Sequence, residues 1–265
     1  MGHSRTWLAF ALAFTPGAQA SAQSVARLVV AGDSAYAARR APDALKDYLA
    51  ALRRNSTDAN ALWRASRTEA ELAVFNADSV QVDTLLHSAE RHGRAAVALA
   101  PGDPQGHFAL AQALGRIALR TPVMERLPYA VEVHQEALAC LALDNRHPGC
   151  LHILGLWDAQ YQMLGFASRQ LADVMTGGKL FTQATWEEAE RNLYAAIEHD
   201  PQRTIHHWDL ARIYQVQGKA DSARTEFQTV LKCPLQMYND AGYQAAARAA
   251  LDSLGATGVA SPPQR

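Results

Sequence analysis

Cysteine is scarce in this chain: Cys140, Cys150 and Cys233 are the only three among 265 residues. An odd count leaves at least one thiol unpaired, so the fold does not rest on a disulfide framework. No Cys-x-x-Cys pair is present either, which removes zinc-ribbon and thioredoxin-type chemistry. Cys140 and Cys150 could bond if their Cα atoms came within about 4.4–6.8 Å. Placed at the end of one helical hairpin and the start of the next, they read more simply as two small packing thiols. Glycine (16) and proline (11) are too few for a low-complexity chain, and the Ala-rich segments favour helix over strand. Charge of either sign is in short supply: 25 Lys and Arg against 26 Asp and Glu leave a net charge of −1. No global field therefore draws the chain onto nucleic acid or an anionic membrane, and electrostatic recognition has to be local.

Catalytic signatures are missing as well. The sequence contains no G-x-S-x-G, phosphate loop, Gly-x-Gly-x-x-Gly or His-Glu-x-x-His, so the chain reads as non-enzymatic and without a cofactor. Gly177-Gly178-Lys179 lacks the earlier glycine and the strand of a phosphate loop and reads as a flexible linker. Ten histidines are many, and His147, His152, His206 and His207 lie close in the repeat register. His147 and His152 do not share a helix face, however, and adjacent His206 and His207 point about 100° apart on a helix. They read as side chains that bond turn backbone or fill half-buried niches, and no metal site is expected.

Long hydrophobic runs are also absent, apart from the beginning. Arg5, the apolar run 7–14 and the small-x-small words Ala18-Gln19-Ala20 and Ala20-Ser21-Ala22 make residues 1–22 a secretory signal. The run is shorter than the ~20 residues that span a bilayer, and no cysteine beside the cleavage site suggests a lipid anchor. The mature protein is expected in the periplasm or outside the cell, with no stable membrane span.

What the chain does have is small residues at repeated spacing. Leu210-Ala211, Tyr214, Gly218, Ala223, Phe227 and Val230, closed by Pro234, follow the tetratricopeptide (TPR) pattern of about 34 residues: L-G-x-x-Y, then A-x-x-x-F-x-x-A, then Pro. Leu154-Gly155 with Ala189, Leu193, Ala196 and Pro201 repeats it around a long insert. Gly32 with Ala44, Tyr48 and Ala51 repeats it again, using Tyr for the wedge aromatic. Small residues let two antiparallel helices approach, and the aromatic fills the space between them. Gly93 stands where the second repeat should have that aromatic, so this repeat is expected to be loose or filled by a neighbour. Its connection from Asn76 to Thr84 is longer than the pattern needs. In the insert, Met163 to Met175 suggests an extra amphipathic segment, and Thr185 with Glu188 is a capping box for the next helix.

Taken together, His152-Ile153-Leu154-Gly155-Leu156-Trp157, the insert, Thr185-Trp186-Glu187-Glu188-Ala189 and the helix from Tyr243-Gln244-Ala245 to Leu251 resemble the regulator-of-microtubule-dynamics family and its bacterial relatives, over about residues 102–254. The expected fold is all-α: a right-handed α-solenoid of about five TPR-like hairpins in residues 23–254, with a C-terminal helix capping the last repeat and a disordered tail at 255–265.

In a stack of such hairpins the first helices line the concave surface. The residue after each close-packing position is Asp33, Arg67, Arg116, Leu156 or Arg212, and one turn earlier stand Val29, Trp63, Gln112, His152 and Trp208. Trp63, Arg67, Gln112, Arg116, His152, Trp208 and Arg212 are therefore the candidate ligand-binding row, with two Trp-Arg pairs at i, i+4 placed to stack. The competing reading pairs Arg67 with Glu71 and Arg212 with Asp209, which would make the row a solvated face. The preferred function is a binding module for a protein or peptide partner, with an acidic segment or C-terminal carboxylate. The alternative is a carrier of a lipid or small apolar ligand, suggested by the apolar insert and by membrane-associated branches of the family.

Overall fold

The computed structural model describes residues 16–176 and 180–257, and these form twelve α-helices and one 3-10 turn, without a strand. Five antiparallel pairs follow one another: α1 (Pro16–Ala37) with α2 (Ala41–Arg54), α3 (Ala59–Leu72) with α4 (Ser79–Leu99), α5 (Pro104–Arg120) with α6 (Leu127–Leu143), α7 (Pro148–Gln162) with α9 (Trp186–His199), and α10 (Thr204–Val216) with α11 (Ala220–Lys232). The insert forms α8 (Phe166–Met175), and α12 (Asp240–Thr257) packs on α11 and α10. The chain is thus the all-α solenoid that the repeats predict. Residues 1–15 of the anticipated signal lie outside the described residues, and α1 runs through both anticipated cleavage points. Residues 255–257, assigned to the tail, are helical. Residues 258–265 and Gly177-Gly178-Lys179 lie outside the described residues.

Local chemistry sets the helix starts. Asp58, Asp78 and Asp103 each accept a main-chain N–H in the first turn of the helix they precede, which satisfies donors that have no partner inside the helix. Thr185 does the same for α9 by accepting from Glu188 N at 3.1 Å. Between the helices of a pair, the small residues are where close approach occurs. A Cβ on Gly32 would lie 2.4 Å from Tyr48 Cε1, and one on Gly155 would lie 2.8 Å from Leu193 Cγ and 2.9 Å from the Ala189 carbonyl oxygen. Tyr48 and Phe227 are both fully buried wedges. The second repeat is filled by its neighbour: a Cβ on Gly93 would meet Leu110 Cα and Ser66 Oγ at 3.0 Å, and the Ser66 hydroxyl donates to the Ala89 carbonyl oxygen at 2.7 Å.

One detail departs from expectation. Cys140 and Cys150 are not separate thiols; their Cα atoms are 6.4 Å apart and the sulfurs form a disulfide, tying the third repeat to the fourth. The geometric condition was the deciding one, because the turn between α6 and α7 brings both cysteines into one fully buried niche. Cys233 is the buried free thiol. The insert, for its part, returns to the core through an aromatic stack, in which the Phe181 ring lies nearly parallel to both Tyr161 (4.5 Å) and Trp157 (4.9 Å).

Candidate functional site

The predicted row lies on the first helices of the pairs, Trp63 and Arg67 on α3, Gln112 and Arg116 on α5, His152 on α7, Trp208 and Arg212 on α10. The ion pairs of the competing reading, Arg67 with Glu71 and Arg212 with Asp209, are not formed: no carboxylate stands within 4.0 Å of Arg67, Arg116 or Arg212 among the described residues. Both expected stacks are present. The Arg67 guanidinium carbon is 5.1 Å from the Trp63 ring centroid and closer still, 4.0 Å, to that of Tyr36. The Arg212 guanidinium carbon is 5.9 Å from the Trp208 ring. Arg212 is exposed, whereas Arg67 and Arg116 are half-buried. The row is therefore not uniform: its inner end is enclosed and Arg212 stands at the open edge.

Several participants were missed by the register argument. The Tyr36 hydroxyl donates to Glu71 Oε1 at 2.5 Å. Burial pushes the Tyr36 phenol far above its ordinary value, and the Glu71 carboxylate adds to this while Arg67 and Arg203 oppose it. On the other side, His152 Nδ1 and His206 Nδ1 are 2.9 Å apart, so one ring donates and the other accepts. Burial, then His152 and Arg203, hold His206 far below the usual histidine range, so its ring is neutral. His152 Nε2 lies 3.1 Å from Asp209 Oδ2. Glu71, one helical turn past Arg67, and Asp209, next to Trp208, were weighed only as partners of the arginines, and His206, two positions before Trp208, only as a niche-filling histidine.

Polar atoms that are buried and lack a hydrogen-bond partner gather on this face. From α3 these are Trp63 Nε1, Arg67 Nε and Glu71 Oε2; from α5, Gln112 Oε1 and Arg116 Nε; from α7 and α10, His152 Nε2 and His206 Nε2. His152 Nε2 belongs here because its approach to Asp209 lacks hydrogen-bond alignment. A buried polar group without a partner costs roughly 1–3 kcal/mol. Five of the seven predicted residues contribute such an atom. Donors outnumber acceptors, and the guanidinium groups make the surface receptive to an anion.

The first turn of α12 crosses this row. Asn239 Nδ2 donates to the Glu71 main-chain oxygen at 2.8 Å. The Tyr243 ring packs edge-on to Phe75 at 5.1 Å and against Trp208 at 5.8 Å. Burial pushes the Tyr243 phenol up to about 12, with the neighbouring Arg116 guanidinium pulling the other way. The anticipated cap of the last repeat is therefore also a contact to the second repeat, reached by Val74 and Phe75 at the end of α3. The sequence signal for it was the overlong connection after that helix.

Other clusters are structural. His207 Nδ1 and Nε2 face Glu226 Oε2 (2.7 Å) and the Pro201 carbonyl oxygen (3.0 Å). His107 repeats the arrangement with Glu136 and Pro101. Each histidine bridges its own helix pair to the turn that ends the preceding repeat. His147 caps α7 by accepting from Cys150 N. Cys140, His147 and Cys150 place ligand-type atoms within 4.8 Å of one another, but the two sulfurs are bonded to each other. No helix of the described residues is long and apolar enough to cross a membrane.

The family model described as regulator of microtubule dynamics protein 1-3 matches residues 28–255. None of the curated proteins matches the sequence significantly. Among solved structures, the fold is similar to a thermophilic TPR protein of Thermus thermophilus, with a TM-score of 0.59 and 20% identity, covering 86% of this chain and 98% of that one. A structure of MamA aligns with a TM-score of 0.41 and 14% identity over 76% of this chain and 92% of its own.

Proposed function

The chain belongs to the regulator of microtubule dynamics family, and from that membership and its TPR fold we propose that it is a non-enzymatic, exported scaffold that holds a protein or peptide partner on its concave face. The microtubule role in the family's name is not carried over, because the signal-like residues 1–22 point to the periplasm or the exterior. One observation carries the reading: Arg67 and Arg116 are half-buried, have no carboxylate partner, and sit among buried polar atoms that lack partners of their own. A partner with an acidic segment or a C-terminal carboxylate supplies the missing acceptors. Charge-assisted hydrogen bonds of this kind contribute roughly 1.5–3 kcal/mol each.

The test is affinity capture with the mature protein from an extract of the exporting compartment, followed by mass spectrometry of proteins and of small molecules. A stoichiometric protein that is lost with Arg67→Ala plus Arg116→Ala supports the scaffold. A partner retained by that double variant removes the row from the binding surface.

A second reading, a carrier of a lipid or small apolar ligand, draws on a different place. An apolar cleft of about 80 Å³ opens between α6, α7 and α8, lined by Leu127, Trp157, Leu164, Leu171, Met175 and Phe181. Nearby Phe166 and Val174 are 70% and 78% exposed. Co-purifying acyl chains, displaced by Leu171→Glu, would favour this reading over the scaffold.

A further inference from the structure

The residues that recognise a partner on the concave face already have a tenant. Asn239 leads into the first turn of α12, Asp240-Ala241-Gly242-Tyr243, and this turn is held from both sides. Asp240, nearly fully buried, accepts from the main-chain N–H groups of Gln236 (2.7 Å) and Met237 (2.6 Å), which fixes the connection leading into the helix. Asn239 donates across the concave side to the Glu71 carbonyl oxygen, and Tyr243 is wedged between Phe75 and Trp208. Gly242 makes the approach possible, because a Cβ there would stand 2.6 Å from the Phe75 ring. The contact is small and one-sided in its burial: Tyr243 is 7% exposed, but Phe75, its partner from the second repeat, is 51% exposed. It sets the Tyr243 ring against Trp208 and the Tyr243 hydroxyl beside Arg116, two residues of the row, while Arg67 and Gln112 keep unpartnered buried atoms.

We propose that the first turn of α12 is an autoinhibitory surrogate for the partner. It occupies the place of an aromatic side chain in an acidic segment, and partner binding releases it. This rests on the reading that the row binds the partner and names both the partner's anchor and the regulation of the site. The surrogate supplies an aromatic ring for the gap between Phe75 and Trp208 and a hydroxyl near Arg116, but no carboxylate for the arginines. A segment with a tyrosine or phenylalanine flanked by Asp or Glu offers the same ring and adds the charge that Arg67 and Arg116 lack. It therefore out-competes the surrogate through its charge-assisted contacts. Because α12 is tethered, the competition is intramolecular and lowers the apparent affinity by the fraction of molecules in which the turn is docked.

The test uses the mature chain and two labelled octapeptide pools, both Asp/Glu-rich, one with a central Tyr and the other with Ser in its place, measured by fluorescence anisotropy at low salt. Asn239→Ala removes the bond that fastens the turn to α3 and leaves both walls of the gap, Phe75 and Trp208, in place; Tyr243→Ala is the second opening variant. The expected result is binding at least tenfold tighter to the Tyr pool by both variants than by the unaltered chain. The preference for Tyr over Ser should be kept, and the gain abolished by adding Arg116→Ala. Equal affinity of the unaltered chain and both variants for the Tyr pool overturns the surrogate while leaving the concave face as the binding surface. Equal affinity for the two pools overturns the aromatic anchor. No binding by any of the proteins, Asn239→Ala included, removes the row as a binding site and the surrogate with it.

Discussion

Asn239 donates its side-chain amide to the main-chain oxygen of Glu71 across 168 positions of sequence, so the last helix of the solenoid is fastened to its second repeat. In a simple stack each repeat touches only its neighbours and stability is close to a sum of local terms. Here a long-range contact adds to that sum, and the same contact lies over the candidate site. Local stability and access to the concave face are therefore linked in this chain.

The glycines that permit close approach should differ in cost according to what an added methyl meets. Gly155→Ala drives a Cβ to 2.9 Å from the Ala189 carbonyl oxygen, backbone that cannot step aside. A loss of about 1–3 kcal/mol is expected there. Gly242→Ala first meets the ring of Phe75, a half-exposed side chain rather than backbone, so its cost should stay below about 1 kcal/mol. Thermal denaturation of the two variants checks the ranking, and equal melting points would contradict the register at Gly155.

Arg39 and Gly218 occupy the same place in the first and fifth pairs, seven residues after Gly32 and Ala211, and both have positive φ, 60° and 73°. Only the second is a residue suited to it. Arg39→Gly should stabilise the first hairpin or leave it unchanged, with a gain of up to about 1 kcal/mol. Gly218→Ala should cost about 1 kcal/mol or more, since a side chain is strained there. Denaturant midpoints of the two variants should move in opposite directions or differ by at least that amount.

How much of this could be read beforehand depends on the range of the interaction. Pairing of helices follows from small residues and wedge aromatics a few positions apart, and the sequence carries these at Gly32 with Tyr48 and at Gly155 with Leu193. The row was legible for the same reason: one register position per repeat places Arg67 and Arg116 on one face. The crossing of α12 was not, because it depends on the small rotation between successive repeats, summed over the solenoid. A register fixes which face a residue takes but not where that sum ends. Arg212 shows the limit from the other side, sharing the register of Arg67 yet standing exposed at the edge. The disulfide was likewise a question of distance, which spacing alone left open.

His207 should make stability depend on pH. Burial lowers its affinity for a proton, but the bonds to Glu226 and to the Pro201 carbonyl oxygen outweigh this and raise its pKa above the ordinary 6.5. Both ring nitrogens face acceptors, so the cation is the form that satisfies both. A raised folded pKa stabilises fully below the unfolded value and is lost as pH rises through the folded one. The melting point should therefore fall as pH is raised from about 6 through the raised pKa of His207. In His207→Gln the slope should flatten, and an unchanged slope in the variant would assign the effect elsewhere.

Reduction of Cys140–Cys150 should loosen the junction between the third and fourth repeats. The bond closes a short loop, a separation of 10 residues, for which chain entropy gives about 2–3 kcal/mol. Cys140→Ser with Cys150→Ser should lower the denaturation midpoint accordingly. Alkylation of the unfolded wild-type chain should modify one thiol, Cys233, without reductant. Modification of all three cysteines without reductant would show that the bond is not formed.

The arginines of the row should not contribute equally. Arg67 and Arg116 are half-buried beside unpartnered polar atoms, so a carboxylate that reaches them is partly withdrawn from water and its attraction is little screened. Arg212 is exposed, with Trp208 as its stacking neighbour, and an exposed ion pair contributes only about 0–1 kcal/mol. Arg67→Ala with Arg116→Ala should weaken an acidic partner at least tenfold, about 1.4 kcal/mol, and flatten the salt dependence of binding. Arg212→Ala should change affinity less than about threefold while lowering the association rate at low salt. Helicity should be unchanged in both variants. Calorimetric titration of the captured partner at two salt concentrations separates the cases, and a larger loss from Arg212→Ala than from the inner pair would move the binding surface out to the edge of the solenoid.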